Sequence, residues 1–251
     1  MYKMRDYLTS SMYDIAKHYL MSNFLHRCTN LVRETPITSV LKPENDVWLP
    51  LVVLIGGVGG AGKSSFIEYC KQHIPHVYEE STIDCCKSVA AFMSALETNA
   101  DIGSDGCFTL DDGIDSKSDK YRTFLNELKS IWCKFDDGPN RITINNVNNI
   151  FTHIEDTSIV FINVREPEQI TYLKDCLEAL HYLVVTMSVT RSGVTPPSND
   201  ADQHTMEYVY DINILNEYDL DVLNATAKQF CCAVQDMNFE VVELYNRLLT
   251  L

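Results

Sequence analysis

A glycine-rich segment that follows a buried strand is the feature that most constrains the fold. Residues 51–55 (LVVLI) form a continuous apolar run rich in β-branched side chains, as in a strand that is buried on both faces. Residues 57–64 (GVGGAGKS) then satisfy the pattern G-x-x-x-x-G-K-[ST], and residues 65–70 (SFIEYC) predict a helix. Strand, loop and helix in this order predict a phosphate-binding loop.

Each residue type in this loop has a chemical role. Glycine permits backbone conformations that other residues avoid, and the loop amides with the following helix N-terminus form an anion site. We expect Lys63 to bridge the β- and γ-phosphates of ATP and the Ser64 hydroxyl to ligate Mg²⁺. The predicted nucleotide-binding residues of the loop are Gly57, Gly59, Gly60, Ala61, Gly62, Lys63, Ser64 and Ser65.

Strands and helices alternate along the rest of the chain. Besides 51–55, the pattern predicts strands at 76–82, 158–164, 182–189 and 209–215. Helices are predicted at 62–73, from 84 onward, and at 117–136, 142–155, 167–180, 220–230 and 238–250. This alternation predicts an α/β fold, a three-layer sandwich with a mainly parallel five-stranded sheet.

The N-terminal segment predicts a helical extension. Apolar residues recur there at three- and four-residue spacing over 1–34, and Pro36 and Pro43 then mark a connector. We therefore expect an extension and connector at 1–45 and a phosphate-loop domain at 46–251, with a lid loop at about 190–205. An aspartate- and glycine-rich loop is expected at 97–117.

Composition limits the partners. The net charge of −15 and the lack of a clustered basic patch argue against nucleic acid as a partner without excluding it. No apolar run approaches the roughly 20 residues that span a bilayer. The nine cysteines show no C-x-x-C spacing, so reduced thiols in a cytoplasmic protein are expected rather than a zinc site. Homodimerisation is compatible with the sequence.

The residues beyond the loop favour a small kinase. Guanine-reading and switch motifs of GTPases are not found, and the strand at 158–164 leads into Asn163-Val164-Arg165 rather than ending in the acidic residue usual in motor and transporter ATPases. Arginines close to strand ends and the short spacing of the elements point in the same direction.

Four segments together resemble the nucleoside monophosphate kinase branch of P-loop proteins, most closely the phage-type deoxynucleotide monophosphate kinases. The resemblance extends over about 51–235 and is carried by 57–64, 160–168 (VFINVREPE), 198–202 (SNDAD) and 210–216 (YDINILN). It implies a small nucleotide substrate and ATP with Mg²⁺ as cofactors.

The same resemblance implies roles for three further residues. Arg165 would meet the acceptor or the transferring phosphate, Arg191 would begin a lid over ATP, and Asn216 would lie near the adenine. Lids in that branch usually carry several arginines, whereas this one has Arg191 alone, with Asp200 and Asp202. That departure argues against an ordinary adenylate-kinase-like mechanism.

Several charged residues, some of them near the second predicted strand, bear on whether the phosphoryl acceptor is a phosphate or a hydroxyl. Asp84 could orient or deprotonate a hydroxyl, hold Mg²⁺ through water, or simply cap the next helix. Lys87 and Arg122 are candidate contacts to an acceptor phosphate, together with Arg165. Asp84 and Glu166 both qualify as a further Mg²⁺ ligand. Lys63, Asp84, Arg165 and Arg191 are therefore the candidate catalytic residues.

Three functions remain open at this point. The favoured one is an ATP-dependent (deoxy)nucleoside monophosphate kinase. The second is a P-loop kinase that acts on a hydroxyl, such as a hydroxymethyl pyrimidine in DNA. The third is a non-catalytic, nucleotide-gated regulator in which the N-terminal helix is an interaction arm.

Overall fold

The structure is a computed structural model, and the chain divides into two compact units. The first unit comprises residues 1–79 and 149–251, and the second comprises residues 80–148. The structure describes residues 10–28, 50–98, 119–154, 159–192, 205–217 and 219–249. The predicted connector with Pro36 and Pro43, most of the 97–117 loop, and most of the predicted lid lie outside these ranges.

A five-stranded sheet forms the centre of the fold. Its strands are β1 (Leu51–Gly56), β2 (Val77–Ser81), β3 (Ile159–Asn163), β4 (Leu183–Arg191) and β5 (Ile212–Asn216), in the order β2-β3-β1-β4-β5. β1 pairs in parallel with both β3 and β4, and β4 pairs in parallel with β5. Because β1 lies between two neighbours, all of its residues are buried, which explains its unbroken apolar sequence.

Helices connect the strands. They are α1 (Ser10–Cys28), α2 (Lys63–His73), α3 (Asp84–Thr98), α4 (Asp119–Asp136), α5 (Gly138–His153), α6 (Pro167–Ala179) and α7 (Leu220–Leu249). The predicted α/β fold with a mainly parallel five-stranded sheet is thus confirmed. Pro167 begins α6 as predicted, because its fixed φ suits the first helical turn. None of the described helices is both long enough and apolar enough to cross a membrane.

An aromatic cluster joins three helices to one face of the sheet. Phe24 of α1, Phe66 of α2 and Phe161 of β3 surround Phe230 of α7, with ring centroids 5.8 to 6.2 Å from that of Phe230. All four rings are fully buried. Aromatic rings at these separations contribute to stability beyond their buried area.

The opposite face of the sheet is covered by α6, which packs against β4. Ile170, Leu173 and Leu177 are fully buried at helical spacing on α6. Helices on both faces give the three-layer arrangement. Tyr182, at the start of β4, stacks on Phe151 with a centroid separation of 5.1 Å.

Helix α1 is packed into the first unit. Leu20 and Phe24 are fully buried in its core, and Arg27 forms an ion pair with Glu240 and lies 3.6 Å from Asp236, both on α7. The amide of Asn23 also donates to Glu240, at 3.2 Å. Apolar contacts and charge pairs therefore hold α1 on α7.

In the second unit, α3 and α4 pack together through Cys86, Ala90, Tyr121 and Leu125. A tight turn at Asp137, with φ of 55°, then leads directly into α5. The Gly138 amide donates to the Asp136 carboxylate at 3.0 Å. Helix α5 thus begins at Gly138 rather than near residue 142, because Asp136 satisfies its first amide.

Other predicted boundaries were also wrong, and one of them is the start of β5, which is Ile212 rather than residue 209. The sequence predicted separate helices at 220–230 and 238–250, but α7 is continuous from Leu220 to Leu249. Buried Cys231, Val234 and Met237 continue its core-facing spacing, and no glycine or proline interrupts it. Strand β4 extends to Arg191 instead of ending at 189, because its last residues pair with β5.

The aromatic cluster predicts an unequal cost for two truncations in α7. Phe230→Ala should lower the free energy of unfolding by about 3–5 kcal/mol, because a fully buried ring leaves a cavity. Val222→Ala, at a side chain that is 48% exposed, should change it by no more than about 0.5 kcal/mol. Urea unfolding of both variants measures the difference, and equal losses would contradict this packing.

Candidate functional site

The phosphate-binding loop lies between β1 and α2, at the carboxyl end of the central strand. Gly57, Gly60 and Gly62 have φ values of 131°, 77° and 105°, in the region that favours glycine. The Ala61 amide donates to the Val58 carbonyl at 3.3 Å and closes the turn. Gly62 is the N-cap residue of α2 and has no side chain with which to cap the helix, and a helix N-terminus of this kind favours anions.

Two of these glycines are required for different reasons. A Cβ on Gly57 would overlap the Val189 carbonyl oxygen of β4, so the loop backbone passes directly against the neighbouring strand. A Cβ on Gly60 would meet no atom within 4 Å. At Gly60 the left-handed φ alone favours glycine, whereas Gly57 combines a left-handed φ with close contact.

The Lys63 side chain folds back across the loop. Its Nζ donates to the Gly57 carbonyl and, at 3.0 Å, to the Val58 carbonyl. Ser64 is exposed and Ser65 is half-buried in the first turn of α2. The predicted cation and hydroxyl are thus both at the loop, beside its backbone amides.

Side chains from the ends of two other strands hold the loop. Arg191, the last residue of β4, donates from Nη1 to the Gly60 carbonyl at 3.2 Å. Asn216, the last residue of β5, is buried and donates from Nδ2 to the Ala61 carbonyl at 2.9 Å. Arg191 and Asn216 are themselves paired across the sheet. The structure therefore gathers Lys63, Arg191 and Asn216 at one loop.

Sequence reasoning expected Arg191 in a lid and Asn216 beside a base, and it missed both of these contacts with the loop. The sequence feature that could have predicted these contacts is the position of each residue at the end of a predicted strand, since the carboxyl ends of parallel strands share one edge of the sheet. Thr190 also belongs to β4, with its hydroxyl donating to the Ile214 carbonyl at 3.3 Å. The motif at 198–202, with Asp200 and Asp202, is outside the described residues.

Strand β3 brings further polar residues to the same edge. Its last residue, Asn163, is level with Ile55 of β1 and donates from Nδ2 to the Glu79 carboxylate at 2.7 Å. The Val164 amide donates to the Ile55 carbonyl at 3.2 Å and extends this pairing. Arg165 is the next residue and is half-buried; it lies two residues before α6 begins at Pro167. The sequence did not predict the Asn163–Glu79 pair.

Glu166 is the N-cap residue of α6. Its carbonyl accepts hydrogen bonds from the amides of Gln169 and Ile170, both at 3.0 Å. This position fixes the backbone of Glu166 while leaving the half-buried carboxylate close to the end of β3. Its assignment as a Mg²⁺ ligand stays a prediction.

The remaining predicted site residues belong to the second unit. Asp84 is the first residue of α3, and its exposed carboxylate accepts from Lys87 Nζ at 2.6 Å. The Lys87 amide donates to the Ile83 carbonyl at 3.1 Å, so Ile83 rather than Asp84 occupies the N-cap position. Arg122 is exposed on α4, a different helix. Asp84 and Lys87 are therefore brought together, and Arg122 lies on a separate element.

Two titratable groups next to Asp84 are perturbed. Burial raises the pKa of the Glu80 carboxyl, although a hydrogen bond from Asn146 at 3.3 Å partly opposes it. A hydrogen bond from the Cys86 thiol lowers the pKa of Cys85, while burial opposes this effect. Cys85 is also close to the Thr82 carbonyl, with a sulfur–oxygen distance of 3.7 Å.

Comparison with known proteins adds little to this geometry. No protein-family model matches the sequence, and no curated protein matches it. Among solved structures, an APS kinase from Mycobacterium tuberculosis, determined as a cysteine-to-alanine mutant, is similar to this chain. The identity is 13%, the match covers 78% of this chain and 97% of that chain, and the TM-score is 0.32. A likeness of this size does not bear on function.

The class of protein follows from the fold and the loop themselves. The central parallel strand, the glycine-rich turn and the helix that begins at Lys63 define an α/β protein with a phosphate-binding loop of the P-loop type. Within the described ranges, no three His, Cys, Asp or Glu side chains form a group that could hold a metal ion.

The two loop glycines predict different responses to alanine. Gly57→Ala should destabilise the fold by several kcal/mol, because the new methyl overlaps the Val189 carbonyl of a core strand. Gly60→Ala should cost only about 1–2 kcal/mol, the strain of a left-handed residue in open space. Thermal unfolding of the two variants provides the measurement; a smaller loss for Gly57→Ala would refute the close approach.

The altered thiols predict an order of alkylation. Because its pKa is lowered, Cys85 carries more thiolate near neutral pH and should react with iodoacetamide before Cys232, whose pKa burial raises. The rate at Cys85 should reach its plateau at a lower pH. Cys86→Ala removes the hydrogen-bond donor, so it should slow the alkylation of Cys85.

Peptide mass spectrometry at successive times measures both rates in one sample. Cys232 is the matched control because it is also partly exposed. Faster modification of Cys232 would show that the Cys86 thiol does not stabilise the thiolate of Cys85.

Proposed function

We propose that the protein is an ATP-dependent phosphotransferase that transfers the γ-phosphate of ATP to a small nucleotide, specifically a (deoxy)nucleoside monophosphate. The observation that carries the proposal is the loop at 57–64, on which two cationic side chains converge. Lys63 reaches it from α2, and Arg191 reaches it from the end of β4. Both cations contact loop carbonyls, and we propose that they also contact a phosphate held by the loop amides.

The two positively charged side chains at the loop favour phosphoryl transfer over nucleotide binding alone. In phosphoryl transfer the protein mainly positions the reactants and stabilises charge on the equatorial oxygens. A lysine and an arginine that both contact carbonyls of the loop suit that task. The chain has a net charge of −15, so this local field must come from the loop amides and these two side chains.

The residues present also fit ATP with Mg²⁺. The exposed hydroxyl of Ser64 lies in the first turn of α2, where a P-loop serine ligates the metal. Mg²⁺ keeps several waters and takes only one or two protein oxygens with the phosphates, so a large acidic cluster is not needed. When bound, ATP with Mg²⁺ supplies the transferable phosphoryl group and a cation that neutralises it. Asp84 and Glu166 are the proposed sources of a further metal contact.

The end of β3 favours an acceptor other than water. In hydrolytic P-loop proteins a strand commonly ends in an acidic residue that holds the metal. Here Asn163 ends the strand, and its amide is hydrogen-bonded to Glu79. Arg165, two residues further on, supplies a cation suited to an acceptor phosphate. We assign it that role and place the adenine near Asn216.

A phosphate acceptor also fits the pairing of Asp84. This carboxylate is exposed and accepts a hydrogen bond from the Lys87 ammonium at 2.6 Å. The oxygen engaged in this way would have to give up that hydrogen bond before it could accept the proton of a hydroxyl acceptor. We propose Lys87 and Arg122 as further contacts to the acceptor phosphate.

Transfer of radiolabelled γ-phosphate tests this function. ATP with Mg²⁺ is offered in parallel with nucleoside monophosphates, nucleosides and hydroxymethyl-pyrimidine DNA. Label should enter a nucleoside diphosphate. Label found only in DNA or in a nucleoside would show that the acceptor is a hydroxyl. ATP binding without any phosphate transfer would indicate a nucleotide-gated regulator.

Two substitutions locate the chemistry at the loop. Lys63→Ala should abolish transfer, and Arg191→Met should lower kcat by about 10²-fold or more, because each removes charge stabilisation of the transferred group. Lys71→Ala is the control, since this exposed lysine on the same helix pairs with Glu68. All three variants should unfold close to the wild-type temperature. Full kinase activity in the Lys63→Ala variant would contradict the proposal.

A further inference from the structure

Helix α4 carries an apolar stripe with three exposed members. Phe124 is 38% exposed, Ile131 is 67% exposed and Phe135 is 84% exposed, and Leu128 between them is half-buried and packs partly against the α3–α4 cluster. Their spacing of four, three and four residues is that of alternating d and a positions in a heptad repeat. Large aromatic side chains this exposed, in one line, are unusual on a surface.

The two flanks of the stripe differ. On one side, Tyr121, Leu125 and Trp132 pack against α3 and the turn before α5. On the other side, Glu127 and Lys134 are exposed at successive g positions. Only the second flank is therefore available to a partner helix. It also carries exposed Lys120, one heptad before Glu127 and beyond the end of the stripe, so Glu127 and Lys134 are the two charges beside the stripe.

We propose that this stripe is the contact surface for a second copy of the chain, with the two α4 helices antiparallel. A two-fold axis between residues 129 and 130 places Leu128 opposite the partner's Ile131 and Phe124 opposite the partner's Phe135. In the same register Glu127 faces the partner's Lys134, and symmetry repeats this pair. One register thus satisfies the apolar layers and both charges, which is the complementarity expected of an isologous interface.

A parallel pairing does not use these charges. In parallel helices g positions face e positions, so Glu127 would face the partner's Trp132, a side chain already packed within its own unit. The exposed g flank then gains no partner. The distribution of charge around the stripe therefore selects the antiparallel arrangement.

The size of the surface indicates a reversible dimer. Helix α4 has 18 residues, a length of about 27 Å, so one helix pair buries less than the roughly 1,600 Å² of a standard interface. We expect dissociation in the micromolar range. The dimer is independent of the kinase proposal, since its surface uses none of the loop residues.

Sedimentation velocity of the full chain over a range of concentrations tests the dimer. Glu127→Lys and Lys134→Glu should each weaken dimerisation by about tenfold, because each places like charges opposite one another twice. The double variant restores opposite charges and should regain wild-type association. Phe135→Gln should also weaken it, and it removes an 84% exposed side chain, so the fold is retained.

Ser130→Lys is the control, because this exposed residue lies on the polar side of α4 away from the stripe. It adds the same charge as Glu127→Lys and should leave the dissociation constant unchanged. A wild-type chain that stays monomeric at every concentration would overturn the proposal. Failure of the double variant to recover association would overturn it equally, since recovery depends on the antiparallel register.

Discussion

The parallel pairing of β1 with both β3 and β4 is the constraint on which the rest of this structure depends. It buries β1 completely and ends that strand at Gly56, where the glycine-rich loop begins. Because parallel strands share one carboxyl edge, the same pairing brings the ends of β3, β4 and β5 to that edge. Asn163, Arg191 and Asn216 are those ends, and two of them contact the loop directly.

The loop also gathers positively charged groups in a protein that is acidic overall. A net charge of −15 repels phosphate at long range, but salt screens such repulsion beyond about 8–10 Å. Within the loop the relevant groups are fixed backbone dipoles, Lys63 and Arg191. Backbone amides carry fixed partial charges, so their contribution to the local field does not depend on the overall charge of the chain.

Sequence reasoning identified the elements better than the contacts between them. The loop, α6 and the buried strands have strong local signals: glycines at fixed offsets, Pro167, and continuous β-branched runs. The continuity of α7 was missed although no glycine or proline lies between 230 and 238, and Val234 and Met237 of this stretch pack into the core. The contacts of Arg191 and Asn216 with the loop were missed because they depend on the lateral order of strands, and local periodicity does not encode that order.

The Asn216 tether has a mechanical consequence. Asn216 ends β5 four residues before α7 begins. Helix α7 packs on α2, for example through a hydrogen bond of 2.9 Å between His73 and Asn224. Helix α2 in turn begins at Lys63, directly after the loop. Because the Asn216 amide also holds the Ala61 carbonyl, these parts form a closed ring that starts and ends at the loop. The loop backbone at Ala61 is therefore tied to the core through β5 as well as through α2. If the proposed transfer takes place here, a loop positioned in advance would lose little free energy to reorganisation as charge develops.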